Sequence, residues 1–193
     1  MPRPSLKAER QAEILEAYGR CIARYGVEGA TLEKTADEAG LARALIRHNI
    51  GNKEDLLEAF IERFLATATA SAMELFTSLP RRNRLDTLLK SLFDPAYTDA
   101  EEVSVTNALM TAAIDRPALA ATLREWTDEF SLQIAKELET AFPNAGPGSI
   151  TAAATGIAAL YFHLDSMVPL GDVEALRAAC IESAKLLIST LAD

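Results

Sequence analysis

Arg43 and Arg47 lie one helical turn apart, followed by His48, Asn49 and Lys53 and preceded by Thr31. All except the threonine are rich in hydrogen-bond donors or carry charge. An arginine fork matches the two acceptors on a guanine edge, asparagine matches adenine, and lysine meets a phosphate as a point charge. Thr31 stands where a helix should begin, so its hydroxyl and the first free N–H groups suit a phosphate oxygen. The chemistry on offer is non-covalent recognition of a nucleic-acid duplex, not bond breaking. Thr31, Ala42, Arg43, Arg47, His48, Asn49 and Lys53 are the candidate DNA contacts, with Arg3, Lys7 and Arg10 as a basic arm ahead of them. On an arbitrary surface helix Arg43 and Arg47 would be solvated charges; their setting selects the recognition reading.

Catalysis finds little support. His163 and Asp165 are two apart on an expected helix, so they face different ways. There is no glycine-rich phosphate loop, nucleophile elbow or cluster at metal-ligand spacing. Cys21 and Cys180 sit far apart in apolar helical patterns and read as buried thiols. No catalytic residue, metal or cofactor is expected, and the chain is not read as an enzyme.

The elements that position the cations are helices throughout. Ile14, Tyr18, Ile22 and Tyr25 recur at helical spacing, predicting a first helix over about 6–24, ended by Gly26 as a C-cap. Thr31 opens a helix over 32–39 that stops at Gly40, and a third short helix covers 42–48. Gly allows the tight turn between them, and Leu32, Ala36, Leu41, Leu45 and Ile46 are placed to pack the pair together. Asn52 caps a long helix from Lys53 to about 79, with Glu54 and Asp55 suiting its dipole. Further helices are expected at about 82–93, 101–114, 117–142, 149–168 and 172–191, divided by Pro- and Gly-rich turns. The fold class is all-α with about nine helices, and no strand-like alternation occurs.

The ordered set Gly26, Gly29, Thr31-Leu32, Thr35-Ala36, Ala39-Gly40-Leu41, Leu45 to Lys53 and Glu54-Asp55-Leu56-Leu57 resembles the N-terminal signature of the tetracycline-repressor (TetR) family over about residues 10–57. The resemblance implies a three-helix helix-turn-helix DNA-binding domain, residues 1–52, and a larger helical effector-binding and dimerisation domain, residues 53–193. It implies a transcriptional regulator, a repressor released from a double-stranded DNA operator by a small-molecule effector, working as a homodimer. Three positions depart from the signature. Ala42 stands where a serine usually caps the recognition helix, a loss of about 0.5–2 kcal/mol. Asn49 stands where an aromatic or histidine is common, and Ile50 replaces phenylalanine. A helical regulator that has lost DNA binding and acts through protein contacts, and a small-molecule enzyme, are the alternatives.

For the effector, Leu89, Phe93, Asn107, Met110, Ile114, Trp126, Phe130 and His163 are the candidate lining: apolar walls with a few polar groups. Plain core packing would use the same residue types. The resemblance places the dimer contact on the last two helices. There the small residues around Gly156 suit close approach of another helix, and Ala152, Thr155, Gly156, Ala159, Leu176, Cys180 and Leu187 are the candidates.

The charge balance fits this division. The net charge is −9, and residues 1–55 are neutral, so the acidic excess lies entirely beyond them. An acidic body joined to a head with locally placed bases is compatible with duplex reading by the head alone. No stretch is long and apolar enough to span a membrane, and the first residues lack the apolar segment of a secretion signal, so no membrane partner and a cytoplasmic location are expected.

Overall fold

The computed structural model describes residues 6–192; Arg3 of the expected basic arm lies outside them. Among the described residues there are nine α-helices: α1 (Leu6–Gly29), α2 (Leu32–Ala39), α3 (Arg43–Asn49), α4 (Lys53–Ser78), α5 (Arg84–Leu92), α6 (Ala100–Ala112), α7 (Pro117–Ala141), α8 (Pro147–Met167) and α9 (Glu174–Ser189). The chain divides into two compact units. One is Met1–Ala68 with Ser104–Ala120, the other Thr69–Val103 with Ala121–Asp193. Helices α4, α6 and α7 each run from one unit into the other.

In the first unit the helical face read from the sequence is the core. Ile14, Tyr18 and Ile22 are fully buried, with Leu32, Ala36, Ile46 and Leu56 beside them. Phe60 meets the Tyr18 ring edge-on at 5.6 Å, a geometry favoured by the ring quadrupoles. The break expected at Gly26 is present: its φ of 69° and ψ of 171° are non-helical and split α1 at a kink, beyond which a short turn runs to Gly29. One expectation needs correction. Leu45 does not pack α3 against α2; it is 43% exposed. A helix this short buries one stripe, and Ile46, about 100° further round, occupies it.

The core of the second unit gathers Phe76, Leu88, Leu92, Phe93, Ile134, Leu138, Ile157, Leu164, Cys180 and Ala184 from α4, α5, α7, α8 and α9. The free carbonyls at the end of α4 are satisfied by Arg84, which donates to the Leu79 oxygen at 2.7 Å and the Phe76 oxygen at 2.8 Å. The same guanidinium holds Glu137 of α7 at 2.8 Å, so one side chain closes a helix end and ties it to another helix. Gly156 has a reason within the chain: a Cβ there would stand 2.7 Å from a Leu187 methyl, because α8 and α9 pack closely.

Burial along α7 sets the expected cost of trimming it. Leu138→Ala should lower the unfolding free energy by about 2–5 kcal/mol, whereas Leu132→Ala, at a 48% exposed position, should stay within about 0.5 kcal/mol. Urea titration of both variants checks the contrast.

Candidate functional site

The first unit places the candidate recognition rod where the sequence reading expects it. Thr31 is extended and caps α2, its hydroxyl accepting from the Lys34 N–H at 3.3 Å. Gly40 adopts the left-handed conformation (φ 64°, ψ 32°), and its N–H and that of Leu41 close the end of α2. The chain then turns into α3. Ala42 is the N-cap residue and supplies no side-chain hydrogen bond, so the departure at that position leaves the first turn of α3 uncapped. Ile46 anchors the helix at 0% exposure. The other end is tied from α1: Gln11 donates to the Asn49 carbonyl at 2.8 Å.

Arg43, Leu45, Arg47 and His48 are exposed, and Arg43 also pairs with Glu33 of α2. Asn49 is half-buried, and its amide donates back to the Leu45 carbonyl at 2.8 Å. Lys53 is held by Glu28, with its ammonium 3.0 Å from the carboxylate and 3.1 Å from the backbone oxygen. Lys7 and Arg10 lie on the first turns of α1, where Arg10 pairs with Glu13 at 2.9 Å.

The joint between α3 and α4 is tightly bonded. Asn52 Oδ1 accepts from Glu54 N at 2.8 Å and Asp55 N at 3.2 Å, while Asp55 Oδ2 accepts from Asn52 N at 2.8 Å. This is a reciprocal capping box. Gly51, at φ 131°, is required beside it, because a Cβ there would collide with the Asp55 carboxylate.

The candidate effector residues do not converge on one place. Leu89 and Phe93 are buried in the core of the second unit. Trp126 and Phe130 of α7 meet Tyr161 and Phe162 of α8: Trp126–Phe162 centroids are 5.6 Å apart, Phe130–Phe162 5.5 Å and Phe130–Tyr161 5.2 Å. Asn107, Met110 and Ile114 belong to the first unit, where Ile114 is 80% exposed. His163 is exposed and lines a groove with Gly156, Ala159, Leu160, Leu186 and Leu187. Of the candidate dimer residues, Ala152, Thr155 and Ala159 are exposed on α8, Leu176 and Leu187 are half-buried, and Cys180 packs into the core.

Sequence reasoning set Asp165 aside, and the structure gives it a distinctive setting. It is half-buried one turn from Tyr161. Burial pushes its carboxyl up to about 6, against the opposing pull of Tyr161 and of Arg177, with Glu102 adding to the rise. Glu102 is itself raised, first by lost hydration and then by Asp99 and Glu101. Arg177, 7% exposed, spends one donor on the Phe93 carbonyl at 2.7 Å. Its Nε has no hydrogen-bond partner and lies 3.6 Å from Glu174, beyond hydrogen-bond reach. Four aromatic rings and two carboxylates with weak claims on a counter-charge thus share the second unit. The i, i+4 spacing of Tyr161 and Asp165 was the available signal.

Among the described residues no helix is long and apolar enough to cross a membrane, and no group of three potential ligands could hold a metal ion.

Residues 14–60 match the model of bacterial regulatory proteins of the tetR family. The HTH-type transcriptional regulator BetI of Burkholderia thailandensis is 28% identical over 163 residues, covering 83% of this chain and 82% of that protein. The fold is that of a TetR transcription regulator from Haloarcula marismortui (TM-score 0.77, 18% identity, covering 94% of this chain and 97% of the other). It is equally that of a transcriptional regulator from Saccharomonospora viridis crystallised in complex with choline (TM-score 0.75, 22% identity, covering 94% and 96%).

The uncapped start of α3 yields a direct test. Ala42→Ser should supply the missing acceptor and stabilise that helix by about 0.5–2 kcal/mol, read as slower amide hydrogen exchange over residues 43–49 with little change elsewhere.

Proposed function

We propose that this chain is a ligand-responsive DNA-binding transcriptional regulator of the TetR type, a repressor that releases its operator when a small organic cation binds the second unit. The observation that carries the DNA side is α3: a short helix held by Ile46 and presenting Arg43, Leu45, Arg47 and His48 outward. In a major groove Arg47 would take a guanine edge, Leu45 would meet a thymine methyl, and Arg43 would exchange Glu33 for a base or phosphate. Thr31 and Lys53 would contact the backbone.

A second copy would cover the groove at Gly156, Ala159, Leu160 and Leu187, where Leu186 is 68% exposed. Two α3 helices about 34–36 Å apart would then read successive turns of one duplex face. Effector binding would tilt α4 and change that spacing.

The effector class follows from Asp165. A half-buried carboxylate one turn from Tyr161, whose ring joins those of Phe130, Phe162 and Trp126, suits a cation whose charge is shared between ring faces and an acid. The choline bound by the Saccharomonospora viridis regulator is a ligand of this chemistry. Reciprocal linkage requires DNA to weaken effector binding by the factor that effector weakens DNA binding.

Three measurements test these readings. Anisotropy titration of a duplex from upstream of its own gene should show binding whose affinity falls steeply with salt; no binding at low salt would refute the DNA assignment. Choline should change the emission of Trp126, the sole tryptophan, and Asp165→Asn should weaken binding by about tenfold or more, since a charge pair about 4 Å apart at the effective dielectric near a protein surface gives about 4 kcal/mol, above the roughly 1.4 kcal/mol that factor requires. Choline affinity should also drop as pH falls through about 6. The sign for folding is opposite. The folded value lies above the ordinary 3.8, so this group's contribution to the empty protein's stability is present at low pH and lost as pH rises through about 6. Asp165→Asn should remove both dependences.

A further inference from the structure

Lys53 is not alone on Glu28. Arg116, the residue just ahead of α7, holds the other carboxylate oxygen of Glu28 at 2.8 Å and reaches Glu54, in the first turn of α4, at 2.8 Å. Lys53 takes the remaining Glu28 oxygen at 3.0 Å. All four residues belong to the first unit, and the two cations share one carboxylate across segments far apart in sequence. We propose that Arg116 is a positioning residue for DNA contact: by occupying Glu28 it weakens that carboxylate's claim on Lys53 and leaves the ammonium available to a phosphate.

Three observations support this assignment, which rests on reading Lys53 as a phosphate contact. First, a lysine ammonium has three donors, and Lys53 uses two, on the Glu28 carboxylate and the Glu28 carbonyl. One N–H remains, and the carboxylate is the contact a phosphate must outcompete. Second, Glu28 is held below the usual carboxylate range by its bond to Arg116 and then by Lys53, so both cations draw on the one carboxylate. Third, the Tyr18 hydroxyl is fully buried with no hydrogen-bond partner, in the field of Glu54, Arg116 and Glu28. A buried donor without a partner is uncommon, and the charges that act on this one are those that Arg116 pairs. Arg116 immediately precedes α7, the helix that carries Trp126 and Phe130, so movement of the first turn of α7 would act directly on Glu28.

The test needs no effector. The full-length protein is titrated with the fluorescein-labelled upstream duplex across a salt series. Arg116→Gln should leave Glu28 wholly to Lys53, weakening binding several-fold and flattening the slope of log affinity against log salt by about 0.9 per subunit, about 1.8 per dimer. Arg116→Gln with Glu28→Gln should restore affinity and slope, since nothing then competes for Lys53. Arg116→Gln with Glu54→Gln has the same net charge and should not, because Glu28 still engages Lys53. That control separates local competition from a general change in charge. A slope unchanged in Arg116→Gln, rescue by Glu54→Gln as complete as by Glu28→Gln, or a lowered Tm with unaltered slope would each overturn the proposal. Failure of the unmodified protein to bind the duplex would instead refute the DNA reading on which it depends.

Discussion

The reading head depends on an anchor, because α3 is too short to exist by itself. Seven residues barely repay the cost of nucleating a helix, so an isolated peptide of this length would be mostly unfolded in water. Its order comes from outside: Ile46 in the core, the Gly40 turn that aims it, and Gln11 on the Asn49 carbonyl. Its first turn lacks a side-chain cap, which places more of the burden on the other three supports. The outward residues can be chosen for recognition because the helix is held chiefly by these other supports.

The charges follow a similar economy. Few cations near the head are idle: Arg43 faces Glu33, Lys53 faces Glu28, and Arg10 faces Glu13. These pairs are exposed and contribute little to folding. In the proposed reading their effect is on affinity, since a duplex would have to displace each carboxylate to gain the cation. That would temper nonspecific attraction and make binding responsive to anything that alters the pairing.

The helices of the first unit were legible because local signals agreed with the fold. Thr31, Gly40 and Asn52 act where their chemistry predicts, and the apolar stripe from Ile14 to Ile22 is the buried one. A misreading arose where a residue type admits two roles: Leu45 is apolar yet exposed. The effector residues were less legible. A helical pattern says which face is apolar, not which aromatic rings from α7 and α8 meet, and Asp165 looked unremarkable until its burial was known. Gly156 was read as room for another helix, and that helix includes α9 of the same chain.

The reciprocal bonds between Asn52 and Asp55, with Gly51 excluded from carrying a side chain, leave the α3–α4 corner no slack. A floppy elbow would absorb a disturbance; one bonded like this would pass more of it on. With 26 residues, α4 is about 39 Å long, so pivoting it by about five degrees about its far end sweeps the corner through about 3 Å by the same geometry. Leverage of that size lets a modest rearrangement matter far from where it begins, and makes corner stiffness as consequential as any residue that touches a base.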